Sequence, residues 1–163
     1  MRTAGGPTTL EELGSYIRAD YGASKATPLN PAVRVVATFR VSQYLWRRGW
    51  KALAKLIEWR QVRTVGSQLA PSAEVGPGLL LPHPVGIVLG GWSRLGSGVM
   101  LGQNVTLGAS MRLEGNRDQP TLEDGVRVFA GAVIAGAVTI GCDATIGANM
   151  VVTSDVAAGA VVR

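Results

Sequence analysis

The sequence predicts a mainly β fold, a solenoid of parallel strands with a triangular cross-section, entered through an α-helical region. Three features of the 163 residues lead there. Aliphatic side chains recur every six positions through residues 69–156, glycine or another small residue follows most of them, and charge divides unevenly along the chain. Residues 1–68 hold 11 Lys/Arg against 4 Asp/Glu, whereas residues 69–163 hold 5 against 7, so the net charge of +5 combines +7 with −2. The split marks two parts with different jobs, a helical region over 1–64 and a repetitive domain over 65–163.

The first helix opens at Thr8 and Thr9, three residues before Glu11 and Glu12, a capping-box spacing, and is expected to run to about Ala19. Asp20 to Pro31 reads as a turn-rich connector, with prolines at 28 and 31. A longer helix is expected from Ala32 to Arg63, with a break at Gly49. It sets Trp46, Trp50 and Trp59 among eight Lys/Arg.

Beyond it the period is six. Leu69, Val75 and Leu81 begin the series, which slips by two residues through His83-Pro84-Val85-Gly86. It restarts at Leu89, Leu95, Leu101 and Leu107, then resumes at Leu122, Val128, Ile134, Ile140, Ile146 and Val152. Six matches neither the 3.6 of a helix nor the 2 of an alternating strand. Each hexapeptide instead supplies one short flat face and one corner, and three close a coil of about 18 residues. Residues 69–163 therefore make roughly five coils. A two-layer sandwich with glycine-rich turns would not hold that rhythm over so many units. Between Leu107 and Leu122 the interval lengthens to 15, and the polar surplus, 109–121, reads as a loop extruded from a corner.

Composition excludes several classes. Hydrophobic residues are 47% and charged residues 17%, too apolar for a disordered chain. Cys142 is the single cysteine and His83 the single histidine, so no multi-cysteine zinc site is available and no metal is expected. The start has no apolar leader segment and no run approaches the ~20 apolar residues of a membrane span. A cytoplasmic protein is the expectation.

Residues 79–108, LLLPHPVGIVLGGWSRLGSGVMLGQNVTLG, resemble the hexapeptide-repeat acyltransferases, specifically the serine O-acetyltransferase branch. The run VFAGAVIAGAVTIGCDATIGANMVVTSDV resembles the closing coils of that branch, and the helical part is similar more weakly. In length the chain matches the short capsule and exopolysaccharide acetyltransferases. The resemblance implies a left-handed parallel β-helix, acetyl-CoA as co-substrate, and a homotrimer with sites between neighbouring subunits.

It also implies site residues. His83, stiffened between Pro82 and Pro84, falls on the family's general base, and imidazole is the side chain whose unperturbed pKa suits that task. Gln68 stands fifteen residues upstream, where the family has the aspartate that orients the base. It can accept an imidazole N–H but cannot offset the imidazolium charge. Pro82 replaces an acceptor-binding aspartate, and Asp118-Gln119 align with the family's Arg-His pair, leaving Arg117 one place off. Asp20 and Arg117 could partly substitute. Free serine thus becomes the weaker expectation, and an acceptor without the amino-acid zwitterion, such as a sugar or a biosynthetic intermediate, the stronger one. For the cofactor the resemblance implies Gly108 and Ala109 near the thioester and Ala130, Gly131, Gly147 and Ala148 along the pantetheine arm. Arg127 and Arg112 are candidates for the phosphates. Any one of these small residues is equally explained as a corner residue.

Gln103 and Asn104 are expected to face outward at a corner, and Cys142 to be a small core or corner residue rather than a nucleophile. The basic helix over 32–63 has two readings: packing on the β-helix or a trimer contact, and peripheral contact with an anionic membrane. Nucleic acid is not expected, because no reading module is present. The alternative to an enzyme is an inactive β-helix scaffold, membrane-docked through that helix.

Overall fold

A computed structural model describes residues 5–24, 27, 30–110 and 118–163. Three helices precede the strands: α1 (Leu10–Ser24), α2 (Pro31–Arg47) and α3 (Lys51–Val65). The capping box is present, with Glu12 N–H donating to Thr9 Oγ1 at 3.1 Å and Glu12 Oε2 accepting the Thr8 and Thr9 N–H groups. The Thr8 hydroxyl, which donates to Glu12 Oε2 at 2.7 Å, and then the Thr8 and Thr9 N–H groups hold the Glu12 carboxyl below its ordinary pKa. The helix outruns its expected end at Ala19 and carries Asp20 within it. Asn30 caps α2 by accepting the Ala32 N–H, and Pro31 sits in its first turn. The expected break falls between α2 and α3, where Gly49 takes φ +85°, a value that favours glycine.

Among the described residues thirteen short strands form three sheets, all paired in parallel. The first sheet holds, in order, β1 (Gln68–Leu69), β3 (Val88–Leu89), β6 (Thr106–Gly108), β9 (Val133–Ala135) and β12 (Val151–Val152). The second holds β2 (Glu74–Val75), β4 (Arg94–Leu95), β7 (Thr121–Leu122) and β10 (Thr139–Ile140). The third holds β5 (Met100–Leu101), β8 (Arg127–Val128), β11 (Thr145–Ile146) and β13 (Val161–Val162), with Leu80 bridged to Met100. The chain visits the sheets in rotation, so each rung lies on the last: a parallel β-helix. On the first sheet Gln68 pairs with Val88, Val88 with Thr106, Thr106 with Val133 and Val133 with Val151. Those positions are 20, 18, 27 and 18 residues apart. The slip of two through His83–Gly86 makes the 20-residue rung, and the extruded loop makes the 27-residue one.

In nearly every strand the second residue points inward. Leu69, Leu89, Leu107 and Ile134, with Val75, Leu95, Leu122 and Ile140, are 0–1% exposed. At about 1.5–3 kcal/mol for each buried aliphatic, this column is the main stabilising element. The small residue after the aliphatic is dictated by the next rung. A Cβ on Gly96 would lie 2.7 Å from the Asp124 backbone nitrogen, and one on Gly102 would lie 2.8 Å from that of Ala130.

The helices close the first-rung end. Val35, Val36 and Phe39 of α2 belong to the same buried cluster as the aliphatic column. Arg40, wholly buried, donates to the carbonyls of Val75 (2.8 Å) and Gly76 (2.6 Å), and Gln43 donates to that of Ala73. A solenoid needs such a cap, because its terminal rung otherwise exposes apolar side chains and unpaired backbone. α3 buries Ala54, Glu58 and Gln61, with Gln61 donating to the Val35 carbonyl and the Thr38 hydroxyl of α2, while Leu53, Leu56, Trp59 and Val62, and Trp50 at its cap, are exposed. No helix among the described residues is long and apolar enough to cross a membrane.

Candidate active site

His83 lies in the segment that joins the first rung of the third sheet to β3. Val85 N–H donates to the His83 carbonyl at 2.8 Å, closing a three-residue turn around Pro84. The turn is pinned from below. Ser67, fully buried, donates its hydroxyl to the Pro84 carbonyl (2.9 Å) and accepts the Ile87 N–H (3.1 Å), while Gln68 N–H donates to the Ile87 carbonyl (2.8 Å). Pro84 is buried and His83 is exposed. A rigid, anchored backbone thus presents the imidazole to solvent.

The corner that carries His83 continues along the helix as a ladder. Asn104 N–H donates to the Val85 carbonyl, Gly131 N–H to that of Gln103, and Asn149 N–H to that of Ala130. Asn104 and Asn149 take φ of +59° and +60° there, in the left-handed region that asparagine tolerates. Beside the ladder runs the outer face of the first sheet, two or three residues wide, roughly 10 Å at ~3.3 Å per residue. The extruded loop leaves from its opposite edge, after Gly108.

On that face a groove of about 270 Å³ is lined by Lys55, Glu58, Gln68, Val88, Trp92 and Gln119 among others. Glu58 of α3 is buried, and its Oε2 lies 2.6 Å from Lys55 Nζ, while its Oε1 accepts the Gln68 Nε2–H at 3.2 Å. Gln119 accepts the Trp92 N–H at 2.9 Å, which brings the base of the extruded loop over the corner after β3.

No profile of a known protein family matches the chain. It is similar to the serine acetyltransferase of Helicobacter pylori (strain ATCC 700392 / 26695), 34% identical over 131 residues that cover 80% of this chain and 76% of that protein. The serine acetyltransferase of Mycobacterium tuberculosis (strain ATCC 25618 / H37Rv) is 35% identical over 162 residues, 99% of this chain and 64% of its own length. Among solved structures, the serine acetyltransferase of Neisseria gonorrhoeae in complex with serine matches with a TM-score of 0.83 and 31% identity, covering 93% of this chain and 66% of that one. The chain belongs to the serine acetyltransferase branch of the hexapeptide-repeat acyltransferases. It is an acyltransferase.

Within that branch the expected site residues fall into three groups. His83, Gln68, exposed Pro82 and half-buried Gln119 flank or line the first-sheet face. Gly108 and Ala109 lie at its loop edge, and Ala130, Gly131, Gly147 and Ala148 at its ladder edge. Arg127 is exposed at the start of β8, on the third sheet. Arg117 and Arg112 lie outside the described residues.

Asp20 is a correction. It is 5% exposed and forms a two-point pair with Arg40, Nε to Oδ2 at 2.7 Å and Nη2 to Oδ1 at 3.0 Å. Its Oδ1 also accepts the Leu79 N–H at 2.8 Å. A carboxylate committed this way fastens α1 and α2 to the first rung and is closed to a substrate. Asp118 is likewise corrected: buried, it accepts the Ser110 N–H (3.1 Å) and hydroxyl, tying the neck of the extruded loop. Two of the glycines expected at the cofactor have packing reasons of their own. Gly131 has φ +73° with the Asn149 side chain where its Cβ would be, and a Cβ on Gly147 would meet the Val162 carbonyl at 2.9 Å. Gly108 has none among the described residues, where the nearest atom to a Cβ is Thr106 Cγ2 at 3.9 Å.

Cys142 is exposed at a corner, where its thiol donates to Glu123 Oε2 at 3.2 Å; the carboxylate pushes its pKa up. Among the described residues no group of His, Cys, Asp and Glu could hold a metal ion. Sequence reasoning missed Glu58 and Lys55. One signal was available, because Glu58 is the only acidic residue among the eight Lys/Arg of 32–63.

Proposed function

We propose that this acyltransferase is an acetyl-CoA-dependent O-acetyltransferase on a left-handed β-helix, with His83 as general base. The observation that carries the reading is the chain's one histidine, exposed on an anchored turn at the edge of an open sheet face. His83 takes the proton of an acceptor hydroxyl as that oxygen bonds to the thioester carbonyl carbon. The C–S bond then breaks, and the imidazolium returns the proton to the departing thiolate. A backbone N–H group near Gly108 serves the developing oxyanion in this reading, and the first-sheet face with its small-residue edges suits the thin pantetheine arm. His83 and the extruded loop occupy opposite edges of that face. This supports a homotrimer in which the neighbour's loop completes the site.

The relatives carry serine in their names, and nothing in the comparisons points to another acceptor, so serine is the first to test. A non-serine acceptor rests on side chains alone: Pro82 and Gln119 bear no charge, and Asp118 is enclosed. The test is thiol release from acetyl-CoA with serine, sugars and aminoglycosides. His83→Ala is expected to lower turnover by about 10²–10⁴-fold, the usual worth of a general base. Unchanged turnover removes His83 from the mechanism.

One observation favours a second reading, peripheral docking on an anionic bilayer. The outer side of α3 is an apolar stripe, Trp50 to Val62, flanked by exposed Lys51, Lys55, Arg60 and Arg63, with Arg63 stacked 5.0 Å from the Trp59 ring. Flotation with phosphatidylserine vesicles tests it.

A further inference from the structure

We propose that Phe129 is a cofactor-binding residue: its ring packs against the geminal methyl groups of the pantetheine arm. The proposal rests on the reading of acetyl-CoA as co-substrate, with the arm along the ladder edge.

The residue after an inward aliphatic is usually Gly or Ala, because the next rung crowds it. A Cβ on Gly76, Gly102 or Gly141 would lie 2.5–2.8 Å from backbone atoms there. Among the residues in this place Phe129 alone is aromatic, and it is 45% exposed. A single exposed apolar side chain is ordinary on a protein surface. The position of this one is not. Leu101, Val128 and Ile146 are in register on the third sheet, so Gly102, Phe129 and Gly147 follow one another along the corner. Their N–H groups donate in turn to the carbonyls of Val128, Ile146 and Val162. The same file begins at Pro82, which follows the bridge of Leu80 to Met100 and precedes His83. One large apolar side chain therefore stands in the file that leads away from the candidate base, next to Ala130 and Gly131.

Distance and chemistry select the group it meets. Rungs repeat every ~4.8 Å, which sets Phe129 two rungs, or about 10 Å, along the axis from Pro82. In CoA the geminal methyl groups lie roughly 10–12 Å along an extended arm from the sulfur that carries the acyl group. They are the only branched apolar part of the arm, and an exposed aromatic ring is a surface that apolar groups favour. The amides of the arm are matched instead by backbone N–H and C=O groups. The adenine lies well beyond, past the pyrophosphate, and the file after Phe129 continues with Gly147, which has no side chain to meet it.

Titration calorimetry tests this without any turnover. Phe129→Ala is expected to weaken CoA about tenfold, close to what contact with two methyl groups is worth. Phe129→Leu, apolar but unable to stack on a base, is expected to stay within about threefold of wild type. Fragments locate the contact. Phosphopantetheine is expected to lose affinity along with CoA, whereas adenosine 3′,5′-bisphosphate is expected to bind wild type and both variants alike. In the thiol-release assay the KM for acetyl-CoA is expected to rise by the same factor, with kcat within about twofold. The side chain lies outside the buried cluster, so the urea midpoint and the sedimenting mass are expected to be those of the wild type.

Three results overturn the proposal: CoA affinity unchanged in Phe129→Ala, a loss confined to the adenosine fragment, or a lowered mass that marks a subunit contact instead. The wild type separates this failure from that of the underlying reading. If it does not bind CoA, the co-substrate reading itself is lost. If it binds CoA and Phe129→Ala binds equally well, only the role of Phe129 is lost.

Discussion

Glycines 108 and 131 look alike in the sequence, yet their surroundings assign them different work. At 131 the backbone is left-handed and the Asn149 side chain occupies the space a Cβ would need. Gly131→Ala is expected to cost about 1–2 kcal/mol of stability, read as a lowered urea midpoint. At 108 nothing among the described residues forbids a Cβ. Gly108→Ala is expected to leave the midpoint in place while kcat/KM for acetyl-CoA falls about tenfold, the cost of a roughly 1 Å intrusion where geometry is tight. If both variants lose stability alone, the small residues are corner residues and nothing more. Cys142 gives a second residue-scale test. Glu123 holds its thiol proton and raises the thiol pKa, so alkylation by iodoacetamide at pH 8 is expected to be slower than for a free cysteine. Glu123→Gln removes the carboxylate, lowers that pKa and speeds the reaction. An unchanged rate would show that the contact does not persist in solution.

At the scale of elements, the strands were legible because their side chains answer to one constraint repeated every six residues. Leu95, Leu101 and Leu107 must each point inward, and Gly96 and Gly102 must each clear the next rung's backbone. Even the irregular rungs were readable, since inserted residues shift the phase without erasing it. The helices were less legible. Asp20 reads from sequence as a surface carboxylate near a helix end, and its partner Arg40 stands 20 residues away on another helix. Glu58 and Gln68 meet across the turn that ends α3, a contact no periodicity announces. Tertiary pairing of polar groups obeys geometry, and sequence spacing records it only within a single element. The Asp20–Arg40 pair makes the distinction measurable. Asp20→Asn leaves a buried guanidinium without its counter-charge and is expected to cost about 3–5 kcal/mol. Chemical denaturation followed by tryptophan fluorescence reads it. A stable Asp20→Asn protein with a raised acceptor KM would return Asp20 to the substrate site.

For the whole molecule the decisive feature is that helices and rungs share one core. The buried cluster runs without interruption from Val35 and Phe39 in α2 through Leu69 and Val75 to Val152 in β12. The helical region is the cap of the solenoid, so a chain reduced to residues 67–163 would open Val75 and Leu79 to water and strip the carbonyls of Val75 and Gly76 of Arg40. Phe39→Ala alone is expected to cost about 3–5 kcal/mol, and removal of the cap to leave an aggregating protein that binds hydrophobic dyes. Truncation is therefore a poor way to ask what the outer stripe of α3 does. Trp50→Ser with Trp59→Ser asks it cleanly, because both side chains are more than half exposed and lie outside that core. The double variant is expected to keep the wild-type urea midpoint of the protomer. If the stripe meets lipid, vesicle flotation is lost while sedimentation still reports the wild-type mass. If it meets a second protomer, the mass falls instead, and turnover falls with it if, as proposed, each site draws its loop from a neighbour.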